Sequence, residues 1–247
     1  IHQPNSGLTN LIFNFFKKEI LENTKFILIN KNLNSFFLLK KKQFIVADDG
    51  VDLKDFKAKQ IIKYKNSCVY TGSLFQGKGV DIIIKLAKKI SNFTFYIYGD
   101  LTTASGRILN DCLKIKNIKL LGYVKYSKIP NILKSHKVII MPYSKKVFGN
   151  HKHANIARYM SPLKLFDYLA SGRIIVASKS ESYNHILKNN INSILCDPSS
   201  LDKWIKTLKG ISQNKINFNK LKKNSLETAK DFSWNYRIDR IVNFVDK

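Results

Sequence analysis

The chain has 247 residues, 44% of them apolar, enough to bury one large core or two modest ones, and no apolar run reaches the roughly 18 residues a membrane-spanning helix needs. Its formal net charge of +26 calls for anionic partners, whether nucleotide diphosphates, acidic lipid headgroups or nucleic acid. Cys68, Cys112 and Cys196 lie far apart with no Cys-x-x-Cys spacing, which argues against a disulfide framework or a zinc site and for a reducing cytoplasm.

The opening residues Ile1-His2-Gln3-Pro4 carry neither an initiator Met nor a charged-then-apolar leader, so the chain reads as the downstream part of something longer. Leu8 to Leu21 has apolar residues at helical spacing, and Phe26 to Ile29 and Ile45 to Ala47 read as short strands before a turn at Asp49-Gly50. So few elements make no self-sufficient sheet, and residues 1–64 read as the remnant of a domain.

Residues 65–230 alternate regularly. Strands are expected at Cys68 to Thr71, Thr94 to Tyr98, Ile118 to Leu121, Val138 to Met141, Ile174 to Ala177 and Ser193 to Cys196. Helices are expected at Val80 to Ile90, near Ile129 to Leu133, around Tyr183 to Lys188, and within 200–209 and 219–230. This alternation predicts an α/β fold with a doubly wound parallel sheet. Residues 231–247 add a last helix with Trp234, Ile238, Ile241 and Val245 along one face.

Two stretches carry chemistry. Ser161-Pro162-Leu163-Lys164-Leu165-Phe166-Asp167-Tyr168-Leu169-Ala170-Ser171-Gly172 reads as a helix with Ser161 as N-cap, Pro162 at the first helical position and Gly172 as left-handed terminator. Its N-terminus is directed at the strand ends of a parallel sheet, where N–H groups and the helix dipole favour an anion; Lys164 and Asp167 are alternatively an ordinary i,i+3 surface pair. Gly72-Ser73-Leu74-Phe75-Gln76-Gly77-Lys78-Gly79 comes close to the P-loop pattern but has Gly79 where a magnesium-binding Ser or Thr belongs. His151 and His153 lack nearby partners for a metal site, and no metal is expected.

The long helix stretch resembles the donor-site helix of the GT-B glycosyltransferases of family 4, the glycosyl transferases group 1, often written Ser/Val-Pro-Leu-Lys-Leu-Phe-Glu-Tyr-Met-Ala-Ser-Gly. The glycine loop is similar to that family's Gly-Arg/Ser-x-x-x-x-Lys-Gly. Asp49-Gly50-Val51-Asp52 with Phe56 resembles its Asn-Gly-Val-Asp-x-x-x-Phe crossing between domains, and Phe232-Ser233-Trp234 resembles the start of its returning last helix.

The resemblance implies a GT-B fold: a partial acceptor-side domain in 1–64, a complete nucleotide-sugar domain in 65–230, and a helix in 231–247 packing back on the first. It implies transfer of a sugar from a nucleotide-diphosphate sugar, a co-substrate with no further cofactor, to a glycan or lipid-linked acceptor hydroxyl, with retention and without metal. Lys78 and Lys164 are then the diphosphate cations, with Gly72, Ser73, Gly77, Ser161, Pro162, Leu163 and Leu165 around them. Gly99 is one of the family's strand-end glycines in the donor site, Tyr123 and Val124 border the base, Asp167 meets the ribose hydroxyls, and His2 lies near the reacting sugar.

Three departures stand out. Ser73 replaces an Arg common in relatives, Asp167 is shortened from Glu, and Tyr159 stands where an acidic residue often precedes it by eight positions. An inactive homologue, a P-loop nucleotidase and a basic nucleic-acid module are the alternatives, although a nucleic-acid partner is not expected. An anionic membrane face is a candidate docking surface, and the 247 residues alone are expected to be catalytically silent.

Overall fold

The computed structural model describes residues 24–58, 62–148 and 155–246. The expected helix at Leu8 to Leu21 and the histidines His2, His151 and His153 lie outside them.

The elements run β1 (Phe26–Leu28), α1 (Asn34–Phe37), β2 (Phe44–Val46), β3 (Tyr64–Thr71), α2 (Val80–Lys89), β4 (Thr94–Tyr98), α3 (Gly106–Leu113), β5 (Ile118–Leu120), α4 (Ile129–Ser135) and β6 (His136–Met141). They continue with α5 (Leu163–Ser171), β7 (Ile174–Ser178), β8 (Ile194–Cys196), α6 (Leu201–Ser212), α7 (Phe218–Lys230) and α8 (Trp234–Val245). β1 and β2 form a two-stranded parallel sheet. The other strands form a six-stranded parallel sheet in the order β5-β4-β3-β6-β7-β8. The order turns back between β3 and β6, so ligands are expected above the carboxyl ends of those two strands.

Alternation along the strands divides the core into two layers. Cys68, Tyr70, Val138, Ile140, Ile174 and Val176 face α2, α3 and α6, with Ile83, Leu86, Trp204 and Leu208 packed on them. Val69, Ile139, Met141, Ile175 and Ala177 face α4 and α5, against Leu133, Leu165, Phe166 and Leu169. All five residues of β7 are buried, as a central parallel strand covered on both faces requires. The three cysteines are buried free thiols.

Three expectations need correction. Ser161 is not the N-cap of α5: Pro162 holds that position with extended backbone, the helix starts at Leu163, and Ser161 Oγ instead accepts the Asp49 N–H at 3.1 Å. The segment Tyr183 to Lys188 is a turn, not a helix. Tyr183 O accepts from Ile186 and Leu187, after which Asn192 Oδ1 takes over the Lys188 N–H and ends the coil. Lys164 and Asp167 are no surface pair, since the Lys164 ammonium is buried without a hydrogen-bond partner and Asp167 is buried.

α8 returns to β1 and β2. Arg237 Nε donates to the carbonyls of Ala47 (3.2 Å) and Asp48 (2.9 Å), Arg240 Nη2 to Val46 (2.9 Å), and Lys25 Nζ to Val245 (2.7 Å) at the negative end of the helix. The two flanking motifs clasp each other: Val51 N–H donates to Phe232 O at 3.0 Å and Trp234 N–H to Val51 O at 3.2 Å. Gly50 is needed there because a Cβ would sit 2.8 Å from Phe232 O. Nearby, buried Asn30 donates to the carbonyls of Met160 (3.0 Å) and Ser182 (2.8 Å), tying the end of β1 to the entry of α5.

Candidate functional site

The strand ends on the β3 side carry three aligned glycines. Gly72 N–H donates to Tyr98 O and Gly99 N–H to Gly122 O, both at 2.9 Å, so the backbone passes from β3 to β4 to β5 with no side chain between. A Cβ on Gly99 would run into the Gly72 carbonyl, and Gly72 itself holds φ +123°, which only glycine adopts without strain.

From Gly72 the loop turns into α2. Tyr70 Oη donates to Ser73 O at 2.5 Å, Leu74 N–H to Thr103 Oγ1 at 2.7 Å, and Lys78 N–H to Phe75 O at 3.0 Å. The loop after β6 is laced to it, with Ser144 N–H on Gly77 O (2.9 Å) and Phe148 N–H on Gln76 O (3.1 Å). A Cβ on Gly77 would meet the backbone of Lys146 and Val147, and one on Gly79 the carbonyl of Pro142. The small size of Gly77 and Gly79 therefore lets the loop after β6 approach this turn closely.

Over this floor two cations converge. The Lys78 ammonium lies 4.9 Å from the ring centroid of Tyr143, and the Lys164 ammonium lies 5.4 Å from the same centroid and 4.0 Å from that of Tyr70. Lys164 starts on α5, in one helix layer, and reaches across the strand ends to Tyr70, which belongs to the other. Burial lowers the pKa of Lys78. It lowers that of Lys164 far more, and the Lys78 charge adds to the effect. Cation–π contacts offset only part of the cost of burying the Lys164 ammonium beside the half-buried Lys78. Among the described residues neither ammonium has a carboxylate within ion-pair distance. At the start of α5 the Leu165 N–H turns back onto Pro162 O at 2.8 Å, while a helix leaves its earliest N–H groups, here those of Leu163 and Lys164, without internal partners.

The rest of the expected set lies along the rim. Asp167, one turn on from Lys164, accepts a hydrogen bond from Tyr126 Oη at 2.8 Å. Burial pushes its carboxyl up to about 7; the Tyr126 bond opposes that rise and the Asp55 charge adds to it. Tyr123 is 74% exposed and Val124 half-buried, just beyond Gly122 on the stretch that leads to Tyr126. Leu163 is exposed at the mouth, and Leu165 and Pro162 are buried beneath it. Tyr168 Oη, 3.2 Å from both the N–H and Oγ1 of Thr71, fixes α5 to the end of β3.

The family model for glycosyl transferases group 1 matches residues 52–228. The chain belongs to that family. Solved structures agree in fold at low identity. A glycosyltransferase from Rickettsia africae superposes with a TM-score of 0.74 at 14% identity, over 93% of this chain and 66% of its own. Anabaena HepE in complex with UDP-glucose gives 0.76 at 13%, over 98% and 68%. Sucrose-phosphate synthase from Thermosynechococcus elongatus gives 0.75 at 16%, over 100% and 63%. The group 1 chain thus has the GT-B fold and spans about two thirds of the length of these structures. No curated protein sequence matches it.

Of the residues read from the sequence, the structure brings Gly72, Ser73, Lys78 and Lys164 together, with Gly99 beside them. Tyr70, Tyr143 and Tyr126 were missed: the first two lie against the Lys164 ammonium, and Tyr126 bonds Asp167. Tyr70 and Tyr143 sit at strand ends and carry no local mark that separates them from core aromatics.

Proposed function

We infer that this group 1 chain binds the diphosphate of a nucleotide sugar above β3 and β6 and takes part in transferring the sugar to an acceptor hydroxyl. The observation that carries this reading is the buried Lys164 ammonium, which has no hydrogen-bond partner and shares the Tyr143 ring with Lys78. A diphosphate between them offsets the repulsion and the desolvation of both, through charge-assisted bonds. The N-terminus of α5 adds dipole and N–H donors on the same side.

The chemistry asks for the same parts. As the bond from the anomeric carbon to the diphosphate oxygen breaks, negative charge grows on the departing diphosphate, and fixed cations in a water-poor pocket stabilise it without reorganising. Lys78 and Lys164 fill that role. Asp167 accepts from ribose hydroxyls, and Tyr123 and Val124 border the base. The HepE structures hold UDP, UDP and glucose, or UDP-glucose, which makes UDP the first probe to use.

A glycan or lipid-linked hydroxyl as acceptor, retention of configuration and independence of metal extend this reading on family resemblance alone. The +26 charge supports docking on an anionic membrane, where lipid-linked acceptors reside.

Calorimetric titration with UDP, GDP and ADP tests the donor site. Binding of at least one is expected, weakened about ten- to a hundredfold by Lys78→Ala and by Lys164→Ala. A chain that binds none of the three overturns the reading.

A further inference from the structure

Tyr126 takes no part in the reading above, yet it is the residue that meets Asp167. It lies on a single turn, Tyr126–Lys128, between the exposed stretch after Gly122 and α4. α4 packs against α5, so the phenol is delivered to the carboxylate from a second element. The bond, Tyr126 Oη to Asp167 Oδ1 at 2.8 Å, uses the phenol's one proton and leaves its oxygen free to accept. Tyr126 is 50% exposed, whereas Asp167 is 8% exposed. The tyrosine as a whole therefore stands nearer to solvent than the carboxylate it bonds.

The charges around the pair keep this arrangement. Burial raises the Tyr126 pKa, and the carboxylates of Asp167, Asp55 and Asp52 raise it further, so the phenol stays protonated and stays a donor to Asp167. A carboxylate with one oxygen occupied and little exposure is a poor reader of two neighbouring hydroxyls by itself. A phenol hydrogen-bonded to it extends the accepting surface outward.

Building on the assignment of Asp167 to the ribose, we propose that Tyr126 is a second ribose-reading residue, its Oη accepting a hydrogen bond from a sugar hydroxyl of the nucleotide while donating to Asp167. Tyr126 and Asp167 then act as one polar unit that recognises a vicinal diol. A site built to bond a hydroxyl discriminates against the analogue that lacks it, because its polar groups are left without partners.

The test is the ratio of affinities of the full 247-residue chain for UDP and 2′-deoxy-UDP, measured at about pH 6 and about pH 9, on either side of the Asp167 pKa of about 7. Tyr126→Phe removes only the hydroxyl. The variant is expected to lose about tenfold of the preference for UDP at both pH values, one hydrogen bond's worth. A ratio equal to that of the unaltered chain overturns the proposal. So does a loss present at the lower pH alone, which would mean that Tyr126 acts only by easing the ionisation of Asp167. Failure of the unaltered chain to bind UDP at all counts against the donor-site reading itself, a separate result.

Discussion

Gly72 faces the end of Lys164: a Cβ on the glycine would lie 2.5 Å from Nζ and 2.8 Å from Cε. The absent side chain is what admits the ammonium to the strand ends. Gly72→Ala is expected to displace the flexible lysine tip and to strain a backbone at φ +123°, costing about 1–2 kcal/mol of stability. UDP affinity should fall about tenfold or more. Thermal unfolding and UDP titration of the same preparation check both, and unchanged affinity would show that the lysine tip is not part of the site.

Lys164→Met should separate function from stability. It removes a buried charge with no partner, so the ligand-free variant is expected to melt higher than the unaltered chain while binding UDP about ten- to a hundredfold more weakly. Its pH dependence has a definite sign. The folded pKa of Lys164 lies well below the ordinary lysine value, so the unfolded chain holds more protons at alkaline pH and stability rises with pH up to about 10.5. The methionine variant should lack that rise. Melting curves from neutral to alkaline pH decide it.

Asp167 behaves oppositely. Its folded pKa of about 7 exceeds the ordinary carboxylate value of 3.8, so the folded chain holds the extra proton between them. Its contribution to stability is complete below about pH 4 and is lost as pH rises through about 7. Asp167→Asn should flatten the melting profile across that interval by several degrees; a profile superimposable on that of the parent would mean Asp167 is already ionised there.

Gly50→Ala probes the clasp between the crossing segment and α8. The added Cβ meets backbone, Phe232 O at 2.8 Å and Trp234 N at 3.1 Å, and backbone cannot step aside as a lysine tip can. A loss of about 2 kcal/mol or more is expected, with faster proteolysis near Ser233. Equal cleavage rates in the variant and the parent would rule that out.

What was legible in the sequence was what neighbouring residues decide. The buried run Ile174 to Ala177, the left-handed Gly172 at φ +62°, and the strand-loop-helix around Gly72 to Val80 all follow from local pattern. The Tyr183 to Lys188 segment misled because one turn has the same i, i+3, i+4 apolar spacing as a helix, and Tyr183, Ile186 and Leu187 are indeed buried. The helix α3 was missed although Ile108, Leu109, Cys112 and Leu113 stand at helical spacing and Ser105, whose Oγ caps Ile108 N–H at 3.4 Å, marks its start. Ser161 could not be read correctly because its partner, Asp49, is 112 residues away. Tyr126 was hidden likewise, with Asp167 41 residues further along.

The joining of Val51 to Phe232 and Trp234 has a mechanical consequence. A single strand of chain between two bodies lets one swivel over the other in any direction. Two strands bonded side by side resist torsion and leave one easy bending axis, perpendicular to the plane of the pair. A movement of the segment before Val51 against the six-stranded sheet is then confined to a door-like swing about the paired backbones of Val51 and Phe232 to Trp234.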